Sequence, residues 1–284
     1  MSGNLRTTKI WSTEIFLTRD APAARFDEAE RRDRQYGQAA LTGQSMERLK
    51  LRIRKVLAML FDPVYRRGFR FGVGPSVEHT DALSKYDFDC VLDVGANKGQ
   101  FALFSRKTFP NCRIISFEPL IRPGHVFTRL FERDPKTRLV AAAIATRSGA
   151  ITMHITEHDD SSSPLDLDES QQKLFGSRVV ERREVPCGPV RQFLAEGELG
   201  SHTLLKIDTQ GFELEVLRAA EDVLDKVEAI YCEVSFICLY KGQALASDVI
   251  SYLKQKNFDL RGIYNLAQHK HAGSVQADML FLRV

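Results

Sequence analysis

Residues 90–100 read CVLDVGANKGQ, and the rest of the chain is organised around them. Val91, Leu92 and Val94 predict a buried strand with Asp93 at its carboxyl end. Gly95, Ala96, Asn97, Lys98 and Gly99 predict a tight turn. Gly has no Cβ and Asn tolerates left-handed angles, so the backbone can approach a ligand closely here. Phe101, Leu103 and Phe104 open a helical pattern, and a helix start adds unpaired N–H groups. A strand, a glycine turn and a helix form the first half of a nucleotide-binding βαβ unit. Asp93 is placed to hold a cation or an amine near the turn.

A dinucleotide site wants GxGxxG to seat a pyrophosphate. This turn reads DxGxNxG, with Asn97 where the middle glycine would stand. That suits S-adenosylmethionine, which has a ribose and no phosphate. Beyond Gly99, the run RIISFEP (113–119) predicts a second strand ending in Glu118 and Pro119. A carboxylate there accepts hydrogen bonds from ribose hydroxyls. The expected cofactor residues are therefore Asp93, Gly95, Asn97, Gly99, Glu118 and Pro119. The bland alternative is an α/β turn without a ligand.

DVGANKGQF, SFEP, LLKIDTQGFELEVL and the closing DMLFL together resemble the FkbM-type family of S-adenosylmethionine-dependent methyltransferases, over residues 80–284. The resemblance implies a class I methyltransferase fold, a seven-stranded sheet with its last strand antiparallel. It also implies O-methylation of sugar or natural-product hydroxyls.

Size and composition bound the reading. The 284 residues make one good-sized domain with an extension. At 43% hydrophobic and 27% charged, the chain can bury a sizeable core. No apolar run is long enough to span a membrane, and the N-terminus lacks an apolar signal core. Five widely spaced cysteines without CxxC read as core thiols in a reducing cytoplasm. Residues 1–80 hold 15 Lys and Arg against 9 Asp and Glu, whereas residues 81–284 hold 25 against 28. The expected division is a basic helical extension (1–80) and a slightly acidic catalytic domain (81–284), not built to grip nucleic acid.

Residues 1–45 are polar, and FDEAERRDRQYGQ (26–38) reads as a charged helix. Leu49, Ile53, Val56, Leu57 and Leu60 predict an amphipathic helix over 46–61, ended by Pro63. It reads as a helix packed on the domain or as a basic helix resting on an anionic membrane. RRGFRFGVGPS (66–76) reads as a glycine-rich loop, and His79 follows where it can border the cofactor mouth. A third strand is expected over 138–145, with no acid to meet the adenine amine. A polar insertion follows over 156–182, then strands over 202–208 and 229–234, helices over 210–224 and 244–256, and a final strand pair. Strands alternating with helices predict a doubly wound α/β, Rossmann-like sheet.

Ligands in such sheets bind outside the carboxyl ends of the strands. Asp208, at the end of KID and before a TQG turn, is the leading catalytic carboxylate, as a general base or as a residue orienting one. The alternative is a helix cap. Glu233 is the second catalytic candidate. Asp208, Glu233 and Asp278 together are a candidate ligand set for Mg²⁺ or Mn²⁺. Lys206 is expected on the face opposite Asp208. His269 and His271 read as a solvated loop, and His125, His154 and His158 as bases without a fixed partner. Tyr240 lines the acceptor pocket or packs in the core.

The expected activity is transfer of a methyl group to a hydroxyl of a sugar, glycan or small natural product, in the cytoplasm or at a membrane surface. A dehydrogenase would need GxGxxG and a hydride-transfer pair, which the sequence lacks. A cofactor-binding module without catalysis would have lost Asp93, Gly95, Gly99 or Glu118, and all four are present.

Overall fold

The computed structural model describes residues 46, 49–51, 53–157 and 161–284. The chain falls into two units, Met1–Lys50 and Leu51–Val284. In the first, Met46, Leu49 and Lys50 are described, and they are helical and exposed. The charged helix expected at 26–38 lies outside the described residues.

The second unit is built on a seven-stranded sheet. Its order is β3 (Thr137–Val140), β2 (Arg113–Phe117), β1 (Cys90–Val94), β7 (Thr203–Ile207), β8 (Val227–Ser235), β10 (Gly273–Arg283) and β9 (Phe258–His269). Neighbours run parallel except β10, which is antiparallel to both β8 and β9. The seven strands and the antiparallel last strand are those that the resemblance implies. β1 and β7 are buried at every position, as strands covered on both faces must be.

Alternation along β1 splits the core. Cys90, Leu92 and Val94 pack with α7 (Glu213–Ala219) and α8 (Ala246–Gln255). Val91 packs with α3 (Thr80–Leu83), α4 (Gln100–Thr108) and α5 (Ile121–Phe131) on the other face. Asp93 therefore lies on the α4 face, two residues on from Val91. The strand order reverses between β1 and β7, and this switch point is where such sheets hold ligands.

Several elements differ from the sequence reading. Pro63 ends α1 (53–61) but also starts α2 (Pro63–Arg70), so half of the expected glycine-rich loop is helical. Asp62 caps α2, accepting from the Val64 N–H at 2.8 Å, and a proline in the first turn has no N–H to satisfy. The expected third strand is two. β3 stays in the main sheet, the chain turns at Ala141–Ala142, and β4 (Ala143–Ile144) joins a second sheet, ordered β4-β6-β5 with β5 (Gly149–Thr156) and β6 (Val179–Gly188). No glycine or proline marks that break. The polar insertion holds α6 (Glu169–Phe175), capped by Asp168, which accepts from the Ser170 N–H at 3.0 Å. The helix expected from residue 210 starts at Glu213, because Gln210 and Gly211 take positive φ of 56° and 93°.

Candidate functional site

A cavity of about 550 Å³ opens at the carboxyl ends of β1, β2, β7 and β8. One end is built by the turn after β1. Gly95 has φ 79°, and a Cβ there would sit 1.8 Å from the carbonyl oxygen of Asp208. Only glycine lets the β1 and β7 termini close this tightly. Gly99, at φ 94°, starts α4, and a Cβ would meet the Phe127 and Phe131 rings at 2.9 Å. Asn97 takes φ 47° and its side chain accepts from the Lys98 N–H at 2.7 Å.

Glu118 faces this turn. Its carboxylate accepts from the Asn97 N–H at 2.9 Å and the Leu120 N–H at 2.8 Å. Burial pushes its pKa up to about 7, against the pull of those two amides. Phe117, Pro119, Leu120 and residues 142–144 give the cavity an apolar wall beside it.

Asp93 lies behind the cavity rather than in its wall. It is fully buried, 3.2 Å from Lys206 Nζ, and it accepts from the Ser116 hydroxyl at 3.2 Å. Lys206 corrects the sequence reading. Residues two apart on a strand share a face, so Lys206 points with Asp208, not away from it. It pairs in register with Asp93, donates to the Gly95 carbonyl at 3.2 Å, and stands 3.7 Å from Asp208 Oδ2. Burial opposes its charge, but Asp93 and Asp208 outweigh that and hold its pKa above the usual lysine range.

The other end of the cavity is acidic. Gln210 Nε2 donates to Asp208 Oδ1 at 2.9 Å and to Glu233 Oε2 at 3.1 Å. The Tyr240 hydroxyl donates to Gln210 Oε1 at 3.1 Å, which fixes the amide's orientation. Tyr240 is fully buried behind Gln210 and does not line the cavity. Gln276 also donates to Glu233, at 2.9 Å. Burial, then the nearby Asp208 and Asp278 charges, push the Glu233 pKa well above the usual carboxylate range.

Asp278 accepts from the Tyr231 hydroxyl at 2.9 Å and from Asn265 at 2.7 Å. His79 lies 3.6 Å from Asp278 and 3.2 Å from the Tyr231 hydroxyl, and burial pushes its pKa down to about 4. Asp208, Glu233 and Asp278 thus share one cavity wall. Among the described residues, no three His, Cys, Asp or Glu side chains are placed to hold an ion. Amide and hydroxyl donors already occupy Glu233 and Asp278.

The sequence reading missed Gln210, Asn265 and Lys55 as cavity residues, and gave His79 only a border position. They come from four separate segments that only the fold assembles. The spacing of two between Lys206 and Asp208 is the signal in the sequence that finds Lys206. His125, His154, His269 and His271 do not line the cavity, and His158 lies outside the described residues.

The chain matches the Methyltransferase FkbM domain model over residues 93–260 and belongs to that family. It is similar to the 2-O-methyltransferase NoeI of Sinorhizobium fredii, 28% identical over 165 residues. That alignment covers 54% of this chain and 66% of NoeI, just under two thirds of its length. It is also similar to the methyltransferase sdnD of Sordaria araneosa, 24% identical over 60% of this chain and 73% of that one. Among solved structures, a methyltransferase from Streptococcus mutans in complex with SAH overlaps 72% of this chain and 96% of its own, at 12% identity and a TM-score of 0.42. That overlap is too loose to bear on function.

Proposed function

We propose that the protein is an S-adenosylmethionine-dependent O-methyltransferase acting on a hydroxyl of a sugar, a glycan or a small natural product. The observation that carries the reading is the single cavity joining the Gly95–Glu118 end to the Asp208–Glu233 end. The residues at the first end fit the cofactor. The positive-φ turn admits close backbone approach, Glu118 presents a buried acceptor to ribose hydroxyls, and the wall from Phe117 to Leu120 suits an adenine. Asp93 supports the turn from behind, through Lys206 and the Gly95 carbonyl.

S-adenosylmethionine, when bound, supplies an electrophilic methyl group. At the second end, Asp208 takes the proton of the acceptor hydroxyl at Oδ2, since Oδ1 is held by Gln210. Glu233 lines the wall beside Asp208 on the same Gln210 amide, where it hydrogen-bonds the acceptor hydroxyl and holds it toward Asp208. In the same reading residues 1–80 are an extension to the catalytic domain at 81–284. The protein works in the cytoplasm, with the helix over 46–61 in contact with a membrane, and nucleic acid is not its acceptor.

The test is transfer of tritiated methyl from the cofactor to a panel of methyl glycosides and hydroxylated natural products. Label should appear in alkali-stable methyl ethers. Label confined to alkali-labile esters, or transferred only to nucleic acid, would contradict the reading.

A further inference from the structure

We infer that the outward face of α1 and α2 is a docking surface for an anionic lipid bilayer, which deepens the membrane contact proposed above. Ile53, Val56, Leu57, Leu60 and Phe61 recur three and four residues apart, so they fall on one side of α1. All five are exposed, Phe61 by 79%, and Phe69 on α2 is exposed by 64%. The opposite side of the helix is anchored. Ala58 packs on the core and Lys55 pairs with Glu78 at 3.0 Å, where both side chains line the cavity. The apolar stripe is therefore not the side by which α1 holds to the domain. A run of exposed large apolar side chains on an anchored helix marks an interaction surface.

Charge decides what the surface fits. Arg66 and Arg70 are exposed on α2, and Arg54, exposed on α1, pairs with Asp81 at 3.8 Å. Asp62 is the sole acid between residues 53 and 70, and it is turned inward to cap α2 and to pair with Lys107. An apolar stripe bordered by arginines matches a bilayer interface, with acyl chains beneath and anionic headgroups around. A second copy docking by this face in a two-fold arrangement would set arginines against arginines. Because Lys55 lines the cavity from the inward side, docking brings the acceptor cavity to within about a helix diameter, ~10 Å, of the lipid.

The test uses the full chain and co-sedimentation with vesicles of phosphatidylcholine alone or with about 30% phosphatidylserine. The protein should pellet with the anionic vesicles at low salt and be released as salt rises. Leu57→Glu, Phe61→Ser and Arg66→Glu/Arg70→Glu should each cut the bound fraction at least about fivefold, with melting temperature and S-adenosylhomocysteine affinity unchanged. No pelleting with anionic vesicles, or pelleting that ignores the substitutions, would overturn the inference. So would variants that melt lower or dissociate a dimer, because the face would then be covered by the protein itself. Vesicle binding without S-adenosylhomocysteine binding would instead refute the methyltransferase reading and leave the surface standing.

Discussion

Glu118 gives the reading a pH signature. Its carboxylate already accepts two backbone N–H groups and lies against the cofactor end of the cavity. Its pKa stands at about 7, pushed up by burial. If ribose hydroxyls donate to it, the ionised form is the one that binds. About one tenth is ionised at pH 6 and about nine tenths at pH 8, so affinity should rise about tenfold, or ~1.4 kcal/mol, across that window. The sign follows from the raised pKa: affinity is present above 7 and lost as pH falls through it. The unliganded fold responds the opposite way. The stability tied to the proton is complete below the ordinary carboxylate range and is lost as pH rises through 7. Isothermal titration with S-adenosylhomocysteine at pH 6, 7 and 8 measures the first effect. Glu118→Gln should bind more weakly and with a pH dependence flat to within about twofold. Glu213 serves as a control, since burial pushes it to about 7 as well but it sits outside the cavity wall. Glu213→Gln should keep the wild-type slope. A flat wild type, or a slope that survives in Glu118→Gln, would refute the assignment of Glu118 to the ribose.

The other predictions concern the acceptor end and its support. Asp208→Asn should keep cofactor affinity within about threefold and lose at least about 100-fold in turnover, measured on an acceptor from the glycoside panel; near-normal turnover would remove Asp208 from the catalytic machinery. Lys206→Met strands the buried Asp93 charge and should cost about 3–5 kcal/mol in urea unfolding, with Asp93→Asn in the same chain recovering part of it; strictly additive losses would deny the pair. Gly95→Ala drives a Cβ against the Asp208 carbonyl at a left-handed φ, and the soluble fraction should lose S-adenosylhomocysteine binding; full affinity would show that the two strand ends can part without harm. EDTA should leave turnover unchanged, and a loss restored by Mg²⁺ would reinstate Asp208, Glu233 and Asp278 as ligands.

The parts of the fold legible in the sequence share a physical cause. β1 and β7 are short apolar runs followed directly by Gly95 and by Asp208, and burial on both faces writes that pattern directly. The turn at Gly95 and the spacing to Glu118 are likewise local, so the cofactor end was readable. The break between β3 and β4 was not, because AAAIA carries no stop signal and the departure is set by a second sheet. The acceptor end was half readable. Asp208 and Glu233 sit at strand ends, where position announces them. Gln210 joins the two only because it takes a left-handed φ and Tyr240 holds its amide. His79 and Asn265 reach the cavity from before β1 and from within β9, and no spacing connects them. Lys206 shares a face with Asp208, as the period of two along a strand requires.

A crystal structure of the protein with S-adenosylhomocysteine tests the central claim most directly. The ribose should sit on Glu118, the amino-acid end along Gly95–Asn97, and Asp208 and Glu233 around the position where the methyl group would stand. A sulfur turned away from Asp208 and Glu233, or a ligand bound outside this cavity, would contradict it.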